Sequence, residues 1–416
     1  MNKDFRVVKK CRICKSSKLY KFLDLNKMPI PNGFRKKEDL NKKEHKYELG
    51  CFFCENCSLV QLTIVVNPEI MFKNYLYFSA LSKVMMNNFS SLAHEAYLAE
   101  NLDENSLVCD IGSNDGSLLK FFKSYDSKIV GIDPAENIAK IAELSGIPTE
   151  VEYFNSISAK KIRKKYGLAD VITATNVIAH TDNLYEVFKG VDILLKKDGV
   201  FITEFPYLVD LIDKLEFDTI YHEHLSYFSL KPWNLLVEKC GFEICDIRRL
   251  AIHGGSIRIT HRRKNRNLKN PAKKTLEFLL DLEEKKGLSK KETYDEFSLK
   301  INKLKEELLT LLRSLKKDGK KIVGYGAAAK GNVLTNFFGI DTKILDFIVD
   351  ATPYKQGLFT PGMKIPVYAE NRLLKKMPDY AIILAWNFAN EIMEKQETFS
   401  AKGGRFIIPL PEIKII

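Results

Sequence analysis

Short runs of apolar residues, each closed by a polar side chain, recur through the middle of the chain. In order, four of them read SLVCD (106–110), KIVGID (128–133), DVITATNVIAH (170–180) and GVFITEFPY (199–207). Segments long enough for helices separate these runs, and that alternation is typical of buried parallel strands. The pattern predicts a central α/β domain with a Rossmann-like sheet.

A second unit of the same kind is predicted near the end of the chain. Residues 320–324 (KKIVG) form a short apolar strand that leads into GYGAAAKGN (324–332) and a helix, and the next strand, ILDFIVD, ends at Asp350. The backbone amides of this glycine-rich turn, together with Lys330, suit a diphosphate, and the loop that follows carries Lys355. The alternative is a degenerate duplicate that only packs.

An amphipathic helix is predicted between the two α/β units. Its apolar positions recur at intervals of 4, 3, 4, 3 and 4 residues, at Phe297, Ile301, Leu304, Leu308, Leu311 and Leu315. Residues 262–321 also hold 19 basic and 10 acidic side chains, which is nine of the net twelve positive charges of the protein. Aromatic residues are sparse among these charges, so they indicate a solvated helix face rather than a nucleic-acid surface.

The composition is that of a globular protein. Of the 416 residues 45% are hydrophobic and 28% are charged, which excludes a wholly disordered or fibrous chain and predicts two to three domains. There is no run of eighteen apolar residues, and the charged N-terminus is not followed by an apolar segment. We therefore expect a cytoplasmic protein with no membrane span and no signal peptide.

Five of the eight cysteines lie within the first 57 residues. Cys11 and Cys14 form one Cys-x-x-Cys pair and Cys54 and Cys57 form another, and two such pairs supply the four sulfur ligands that a structural Zn²⁺ prefers. Cys51 could pair with Cys54 instead, but that choice would leave Cys57 unused, so we expect Cys51 to be a packed neighbour. Two disulfides are the alternative, which a reducing cytosol disfavours.

The first predicted strand leads into a glycine-rich turn. Gly112, Asn114 and Gly116 lie within six residues after Asp110. The second strand ends at Asp133, where a carboxylate can accept hydrogen bonds from a ribose diol. A turn of this kind could also serve a nicotinamide dinucleotide. An acidic residue at the turn is similar to the fingerprint of methyltransferases that use S-adenosylmethionine (SAM), and this resemblance implies that the turn faces the methionine part and Asp133 the ribose.

Titratable and phenolic side chains crowd the segment DTIYHEHLSYFSL (218–230). In an extended segment Tyr221 and Glu223 share one face and His222 and His224 share the other, whereas a helical turn brings Tyr221 and His224 to the same side. Three roles stay open: metal binding, for which no third ligand of clear spacing is near, structural hydrogen bonding, and acid–base catalysis. We favour catalysis, because the pKa of histidine lies near neutrality.

Taken in order, the motifs of the whole chain resemble one family, the three-domain C-methyltransferases that act on nucleotide-diphosphate keto-deoxysugars. Besides the cysteine pairs, the motifs are YLYFSALS (75–82), DIGSNDGS (110–117), NVIAH (176–180), TIYHEHLSYFS (219–229), HGGSIR (253–258) and GYGAAAKGN (324–332). The resemblance implies an α/β protein with a small zinc-binding N-terminal module, a central Rossmann-like class I methyltransferase domain and a C-terminal second Rossmann-like domain.

The resemblance also implies which side chains form the site. His224 looks like the base that removes a proton beside the sugar ketone. The other catalytic-site residues that it implies are Glu223, Tyr221, His180 and Tyr75, with Tyr77 as an alternative to Tyr75. The residues that it implies for the donor are Asp110, Gly112, Asn114, Gly116, Asp133, Asn176 and, at the adenine, Phe154.

The expected domain ranges are 1–70 for the zinc module, 71–262 for the methyltransferase domain, 263–316 for linker helices and 317–416 for the C-terminal domain. We expect SAM and a structural Zn²⁺ as cofactors and a nucleotide-diphosphate sugar as substrate, with no nucleic acid and no membrane partner. A monomer is one option for the oligomeric state, which stays open. The alternatives are O- or N-methylation of another small molecule and a zinc-containing, RNA-binding methyltransferase.

Overall fold

The N-terminal module is a small antiparallel sheet. A computed structural model describes residues 4–72, 83–265 and 270–416. The elements of the module are Phe5–Val7 (β1), Leu19–Met28 (β2), Tyr47–Cys54 (β3), Val60–Leu62 (β4), Ile64–Val66 (β5) and the short helix Pro68–Phe72 (α1). Strands β2, β3 and β4 pair antiparallel, and β1 pairs with β5. Cys54 ends β3, beside the turn that carries Cys57.

The central domain is a seven-stranded sheet with helices on both faces. Its helices are Lys83–Ala99 (α2), Ser117–Lys123 (α3), Glu136–Leu144 (α4), Ser156–Tyr166 (α5), Leu184–Leu194 (α6), Leu208–Asp213 (α7) and Leu230–Lys239 (α8). Its strands are Leu107–Ile111 (β6), Lys128–Ile132 (β7), Thr149–Glu150 (β8), Ala169–Thr175 (β9) and Leu195–Pro206 (β10), and, after the two-residue strand Ser226–Tyr227 (β11), Phe242–Leu250 (β12) and Ser256–Arg263 (β13).

The order of this sheet is β12-β13-β10-β9-β6-β7-β8, with β6 to β10 parallel and β12 and β13 antiparallel. Consecutive residues of β6 face opposite sides of the sheet. Val108 packs in one buried cluster with Leu119 of α3, and Cys109 packs in another with Phe188 of α6. Burial on both faces explains why these strands read as continuous apolar runs.

One predicted strand is shorter than expected. The sequence predicts a strand over 170–180, but β9 ends at Thr175 and a one-turn helix occupies Ile178–His180. Asn176 adopts a left-handed conformation with φ 57°, which ends the strand and which asparagine tolerates better than most residues. The prediction was therefore wrong beyond Thr175, and the turn leaves Asn176 and His180 at the carboxyl end of the sheet.

Two helices join the central and C-terminal domains, Lys273–Lys285 (α9) and Lys291–Lys317 (α10). The predicted amphipathic stripe is confirmed on α10 for Phe297, Ile301, Leu304 and Leu308, which are buried. Near the end of the helix Leu309 and Leu312 are buried, while Leu311 and Leu315 are only partly buried. Over the described ranges, the structure contains no helix long and apolar enough to cross a membrane.

The C-terminal domain is a second α/β sheet. Its strands are Ile322–Tyr325 (β14), Ile348–Val349 (β15), Val367–Tyr368 (β16), Tyr380–Ile383 (β17), Arg405–Ile408 (β18) and Lys414–Ile415 (β19). Its helices are Ala329–Phe338 (α11), Asn371–Lys376 (α12), Ala389–Lys395 (α13) and Glu397–Ala401 (α14). The order is β16-β15-β14-β17-β18-β19, parallel except for β19, which confirms a second Rossmann-like unit.

The three parts meet around the segment 218–230. Strand β11 pairs antiparallel with β4, so this segment extends the sheet of the N-terminal module. Arg12, which lies between the first two cysteines, donates a 2.8 Å hydrogen bond from Nη1 to the carbonyl of Leu225. On the other side Phe217 stacks on Phe338 of α11, with ring centroids 5.3 Å apart. Both flanking domains therefore fix the segment that carries His224.

Candidate active site

A cavity of about 680 Å³ lies where the three domains meet. The central domain contributes the carboxyl ends of β6, β7 and β9 and the turn at His224. The N-terminal module contributes Asn32 and Val66, and the C-terminal domain contributes Lys330 and Lys355. Parallel α/β sheets bind ligands at the carboxyl ends of their strands. The fold thus places the cavity where such a sheet holds a ligand and closes it with residues from both neighbours.

The glycine-rich turn lines one end of this cavity. Gly112 has φ 65°, and a Cβ atom built on it would lie 2.3 Å from Cγ2 of Val177. Any larger residue would both strain the backbone and collide with the turn after β9. Asn114 is also left-handed, with φ 50°, and lines the cavity with Gly112. The turn therefore brings bare backbone to the cavity wall, as the sequence predicts for a donor site.

Two carboxylates stand at the ends of adjacent strands in this wall. The Asp133 carboxylate accepts hydrogen bonds from the amides of Asn114, at 2.9 Å, and Ala135, at 2.8 Å. The Asp110 carboxylate accepts a 2.6 Å hydrogen bond from Thr173 Oγ1. Burial raises the pKa of Asp110 to about 7, and burial also raises the pKa of Asp133. A cationic ligand beside them would favour their ionised forms.

Of the other predicted donor residues, two line the cavity and one does not. Phe154 and Asn176 line the cavity, and the Phe154 ring packs against α6, where a Cβ on Gly190 would lie 2.9 Å from it. Gly116 is not among the described residues that line the cavity. It is the N-cap residue just before α3, with φ 75°, and a Cβ there would lie 2.8 Å from Cγ1 of Ile147. Gly116 thus supports the turn by close packing against Ile147, on the side away from the cavity.

His224 lines the cavity with its ring held in one orientation. The ring atom Nδ1 lies 2.8 Å from the carbonyl oxygen of Thr219. A carbonyl only accepts hydrogen bonds, so Nδ1 carries the proton and Nε2 keeps its lone pair. Burial and the neighbouring His180 lower the pKa of His224 well below its usual range. The ring is therefore neutral near pH 7 and has an unprotonated nitrogen.

Two predicted companions contact this ring. Tyr221 lies against His224 with ring centroids 4.0 Å apart, and His180 meets it edge-on at 4.9 Å. Both line the cavity. The segment is a turn rather than an extended strand, since the amide of His224 donates to the carbonyl of Tyr221. Of the two arrangements the sequence left open, the structure has the helical-turn one.

The two other polar residues of the YHEH segment point away from the cavity. His222 is fully buried and packs edge-on to Tyr47 of β3, with ring centroids 6.0 Å apart. Glu223 is also fully buried and accepts a 2.7 Å hydrogen bond from Nδ2 of Asn32. Neither is among the described residues that line the cavity, whereas Asn32 is. Glu223 thus stands behind Asn32, and its place among the catalytic residues stays a prediction.

Sequence reasoning did not assign every side chain of the cavity wall. Asn32, His253 and Asn387 line the cavity without having been named as site residues. His253 is in the HGGSIR motif and has φ 54°, so the motif itself was a signal. The local sequence gives no such signal for Asn32 or Asn387. Tyr75 and its alternative, Tyr77, lie outside the described residues.

The cations of the C-terminal domain are close to carboxylates. Lys330 Nζ lies 3.4 Å from the carbonyl oxygen of His253 and 3.9 Å from Oε2 of Glu216, which is buried. Lys355 Nζ donates to the carbonyl of Ala327 at 3.0 Å. Both side chains are mostly buried and both line the cavity. Two cations, each 3.9 Å from a carboxylate oxygen of Glu216 or Asp350, therefore line this end of the cavity.

The four predicted cysteines form one cluster. Their sulfur atoms lie within 4.8 Å of one another, with 3.5 Å between Cys11 and Cys57 and between Cys14 and Cys54. A tetrahedral Zn²⁺ with bonds of about 2.3 Å separates its sulfur ligands by roughly 3.8 Å. These separations fit that ion and exceed the S–S bond of about 2.05 Å in a disulfide. Cys51 is buried outside the cluster, as predicted.

Comparison with known proteins agrees with this geometry. Three family models match successive parts of the chain: a zinc binding domain over residues 11–72, a methyltransferase domain over 88–247 and a C-methyltransferase C-terminal domain over 251–411. The fold and site define a SAM-dependent methyltransferase with a zinc-binding N-terminal domain. NovU of Streptomyces niveus, a C-methyltransferase, is 32% identical over 411 residues, which cover 99% of this chain and 97% of NovU. The chain belongs to this family of C-methyltransferases.

Solved structures resemble parts of the chain more distantly. Magnesium protoporphyrin IX methyltransferase (ChlM) from Synechocystis, with bound SAM, is 14% identical over 43% of this chain and 79% of its own, with a TM-score of 0.34. The PH0226 protein from Pyrococcus horikoshii is 16% identical over 45% of this chain and 95% of its own, with a TM-score of 0.35. Likenesses at these scores support no further conclusion.

Proposed function

We propose that the enzyme transfers a methyl group from SAM to a carbon atom of a keto-deoxysugar linked to a nucleoside diphosphate. Carbon beside a ketone becomes a nucleophile only when a proton is removed from it, so the reaction needs a base next to the sugar. The family membership and the relative named as a C-methyltransferase support a carbon acceptor. The order of motifs supports the sugar.

The observation that carries the proposal is the hydrogen bond between Nδ1 of His224 and the Thr219 carbonyl. It leaves Nε2 of His224 as the basic atom in the cavity. The same cavity is lined by the carboxyl ends of β6 and β7, where the donor is expected. In the proposed reaction Nε2 takes the proton from the carbon next to the ketone. Its low pKa keeps the ring neutral before reaction, and the negative charge that develops on the enolate stabilises the imidazolium formed.

We propose separate roles for the other residues of the segment. Tyr221 and His180, in contact with the His224 ring, donate hydrogen bonds to the enolate oxygen as its charge grows. Glu223 acts through Asn32 by fixing the amide that lines the cavity. Tyr75 is proposed for the sugar pocket on the resemblance alone.

The donor is proposed to lie along the glycine-rich turn. SAM supplies a methyl group on a sulfonium ion, which is an excellent leaving group. Asp133 accepts hydrogen bonds from the ribose, the amides around Gly112 face the methionine part, and Phe154 lies at the adenine. The remaining donor residues proposed are Asp110, Asn114, Gly116 and Asn176.

The diphosphate is proposed to lie toward the C-terminal domain. Lys330 and Lys355 bring two positive charges to that end of the cavity. The sugar would then reach His224 from the opposite side to the donor.

We also propose the domain ranges 1–70, 71–262, 263–316 and 317–416.

The substrate can be identified by thermal shift. Each candidate nucleotide sugar is added to the enzyme in the presence of S-adenosylhomocysteine, and the one that raises the thermal midpoint most is the substrate to test. Ligand at 100 times its dissociation constant stabilises the protein by about 2.7 kcal/mol.

The mechanism is tested with that substrate in D₂O. We expect His224→Ala to lose both deuterium exchange at the carbon and methyl transfer, by about 10² to 10⁴, while it stays folded and binds SAM. His222→Ala is the matched control and keeps exchange when folded. Exchange at the parent rate in His224→Ala would remove it as the base. Methylation at oxygen or nitrogen with no exchange in the parent enzyme would support the alternative of an O- or N-methyltransferase.

A further inference from the structure

The carbonyl that orients His224 belongs to a single helical turn. The turn spans Phe217–Thr219, and its last residue, Thr219, accepts the 2.8 Å hydrogen bond from Nδ1 of His224. Only a few backbone hydrogen bonds close the turn, such as that from the amide of Ile220 to the carbonyl of Phe217. One turn of helix is not stable alone in water. Its position therefore depends on what it packs against.

The C-terminal domain holds this turn at two consecutive residues. Phe217 stacks on Phe338 of α11 with an angle of 18° between the rings. The indole Nε1 of Trp386 donates a 2.7 Å hydrogen bond to Oδ2 of Asp218. Phe217 and Asp218 are both fully buried, and a buried hydrogen bond to a carboxylate is short and strong. The contact between Trp386 and Asp218 therefore fixes the turn relative to the C-terminal domain.

The indole is itself held in place. Lys330 Nζ lies 5.3 Å from the centroid of the Trp386 ring and 3.9 Å from Oε2 of Glu216. The charge of Lys330 attracts the buried carboxyl groups of Glu216, just before the turn, and of Asp218, on the turn. Trp386 is 8% exposed, so its ring has little freedom to turn. The indole is therefore confined where its Nε1 reaches Asp218.

We propose that Trp386 is a positioning residue for His224. Its hydrogen bond to Asp218 keeps the Thr219 carbonyl where it holds the N–H of the imidazole, and so keeps Nε2 directed into the cavity. The inference rests on the proposed function, in which His224 is the base. It gives the C-terminal domain a part in proton removal in addition to holding substrate. Displacing a reacting group by about 1 Å can lower a rate by about 100-fold.

The test compares the same substitution at the two tryptophans of the chain, Trp386→Phe and Trp233→Phe. Trp233 is the matched control, because its Nε1 also donates a buried hydrogen bond, at 2.9 Å to Nε2 of His261, in the core of the central domain. For Trp386→Phe we expect kcat and the rate of deuterium exchange to fall together by about 10- to 100-fold, with little change in the KM for SAM. For Trp233→Phe we expect a lower thermal midpoint and the parent rates.

The tautomer of His224 separates orientation from chemistry. Long-range ¹H–¹⁵N spectra of the histidine rings report which nitrogen carries the proton, and His224→Ala identifies the signal. We expect the proton on Nδ1 in the parent and in Trp233→Phe, and a mixture of tautomers in Trp386→Phe. This measurement needs no substrate. If His224→Ala kept deuterium exchange, the proposed function would fail, while a tautomer change in Trp386→Phe would still establish the positioning.

A folded Trp386→Phe with unchanged His224 signals would overturn the inference, whether or not its rate had fallen. Should Trp386→Phe fail to fold, Asp218→Asn decides, because it keeps the volume and the acceptor oxygen but weakens the charge-assisted hydrogen bond. For Asp218→Asn we expect a smaller loss of kcat than the one given above for Trp386→Phe, and a partial shift of the His224 proton from Nδ1 to Nε2. Parent spectra and parent kcat in Asp218→Asn would overturn the inference equally.

Discussion

Asn32, in the N-terminal module, donates a 2.7 Å hydrogen bond to the buried carboxylate of Glu223, 191 residues later in the chain. The amide lines the cavity and the carboxylate does not. The zinc-binding domain thus contributes directly to the wall of the site, and a residue of the YHEH segment sets the position of that contribution.

This pair makes a prediction about stability. Asn32→Ala removes a donor from a buried carboxylate, so we expect the free energy of unfolding to fall by about 1 to 3 kcal/mol. Glu223→Gln keeps an acceptor oxygen and the volume and is expected to lose less. Denaturant unfolding measures both, with Asn41→Ala, at an exposed position of the same module, as control. A loss no larger in Asn32→Ala than in Asn41→Ala would contradict the prediction.

The cysteine cluster predicts one Zn²⁺ per chain. Cys57→Ser removes one of four sulfur ligands, and we expect it to lower the metal content well below one ion per chain. Cys51→Ser, at a buried cysteine outside the cluster, is expected to keep the metal. Elemental analysis of the purified proteins measures the content. Full zinc content in Cys57→Ser together with loss of zinc in Cys51→Ser would mean that Cys51, and not Cys57, is the ligand that pairs with Cys54.

The position of Asp133 leads to a prediction about the affinity for SAM. Asp133→Ala would leave ribose hydroxyls without a charged acceptor, and we expect SAM binding to weaken by about 1 to 3 kcal/mol. The substitution also frees the amides of Asn114 and Ala135, so Asp133→Asn serves as a second variant that keeps an acceptor. Calorimetry measures the dissociation constants. An unchanged constant in Asp133→Ala would exclude this carboxylate from the site.

Asp110 predicts a pH dependence. Burial raises the pKa of this carboxyl to about 7, so it becomes protonated as the pH falls through that value and loses its attraction for a cationic donor. We expect the dissociation constant of SAM to rise by up to about tenfold between pH 8 and pH 6. The raised pKa of Asp133 acts in the same direction. Asp110→Asn is expected to bind SAM more weakly at pH 8, and its dissociation constant is expected to change less with pH. The same pH dependence in this variant as in the parent would show that Asp110 is not the group that titrates.

Local patterns determined most of the framework. Apolar runs that end at polar residues marked β6, β7 and β10, because strands buried on both faces carry few polar side chains. The stripe from Phe297 to Leu308 marked α10, because one face of that helix is buried. The spacing of Cys11, Cys14, Cys54 and Cys57 marked the metal cluster, since two short pairs can each place two sulfurs on one ion.

Only the tertiary structure decided what meets at the cavity. The local pattern of residues does not distinguish His222 from His224, and only the resemblance singled out His224. The structure separates them, because the turn puts His222 against Tyr47 and His224 in the cavity. Nor does the local pattern connect Asn32 with Glu223, or Trp386 with Asp218, since these partners lie far apart in the chain. Such contacts depend on how three domains pack together, and a local pattern of polar and apolar residues carries no record of that packing.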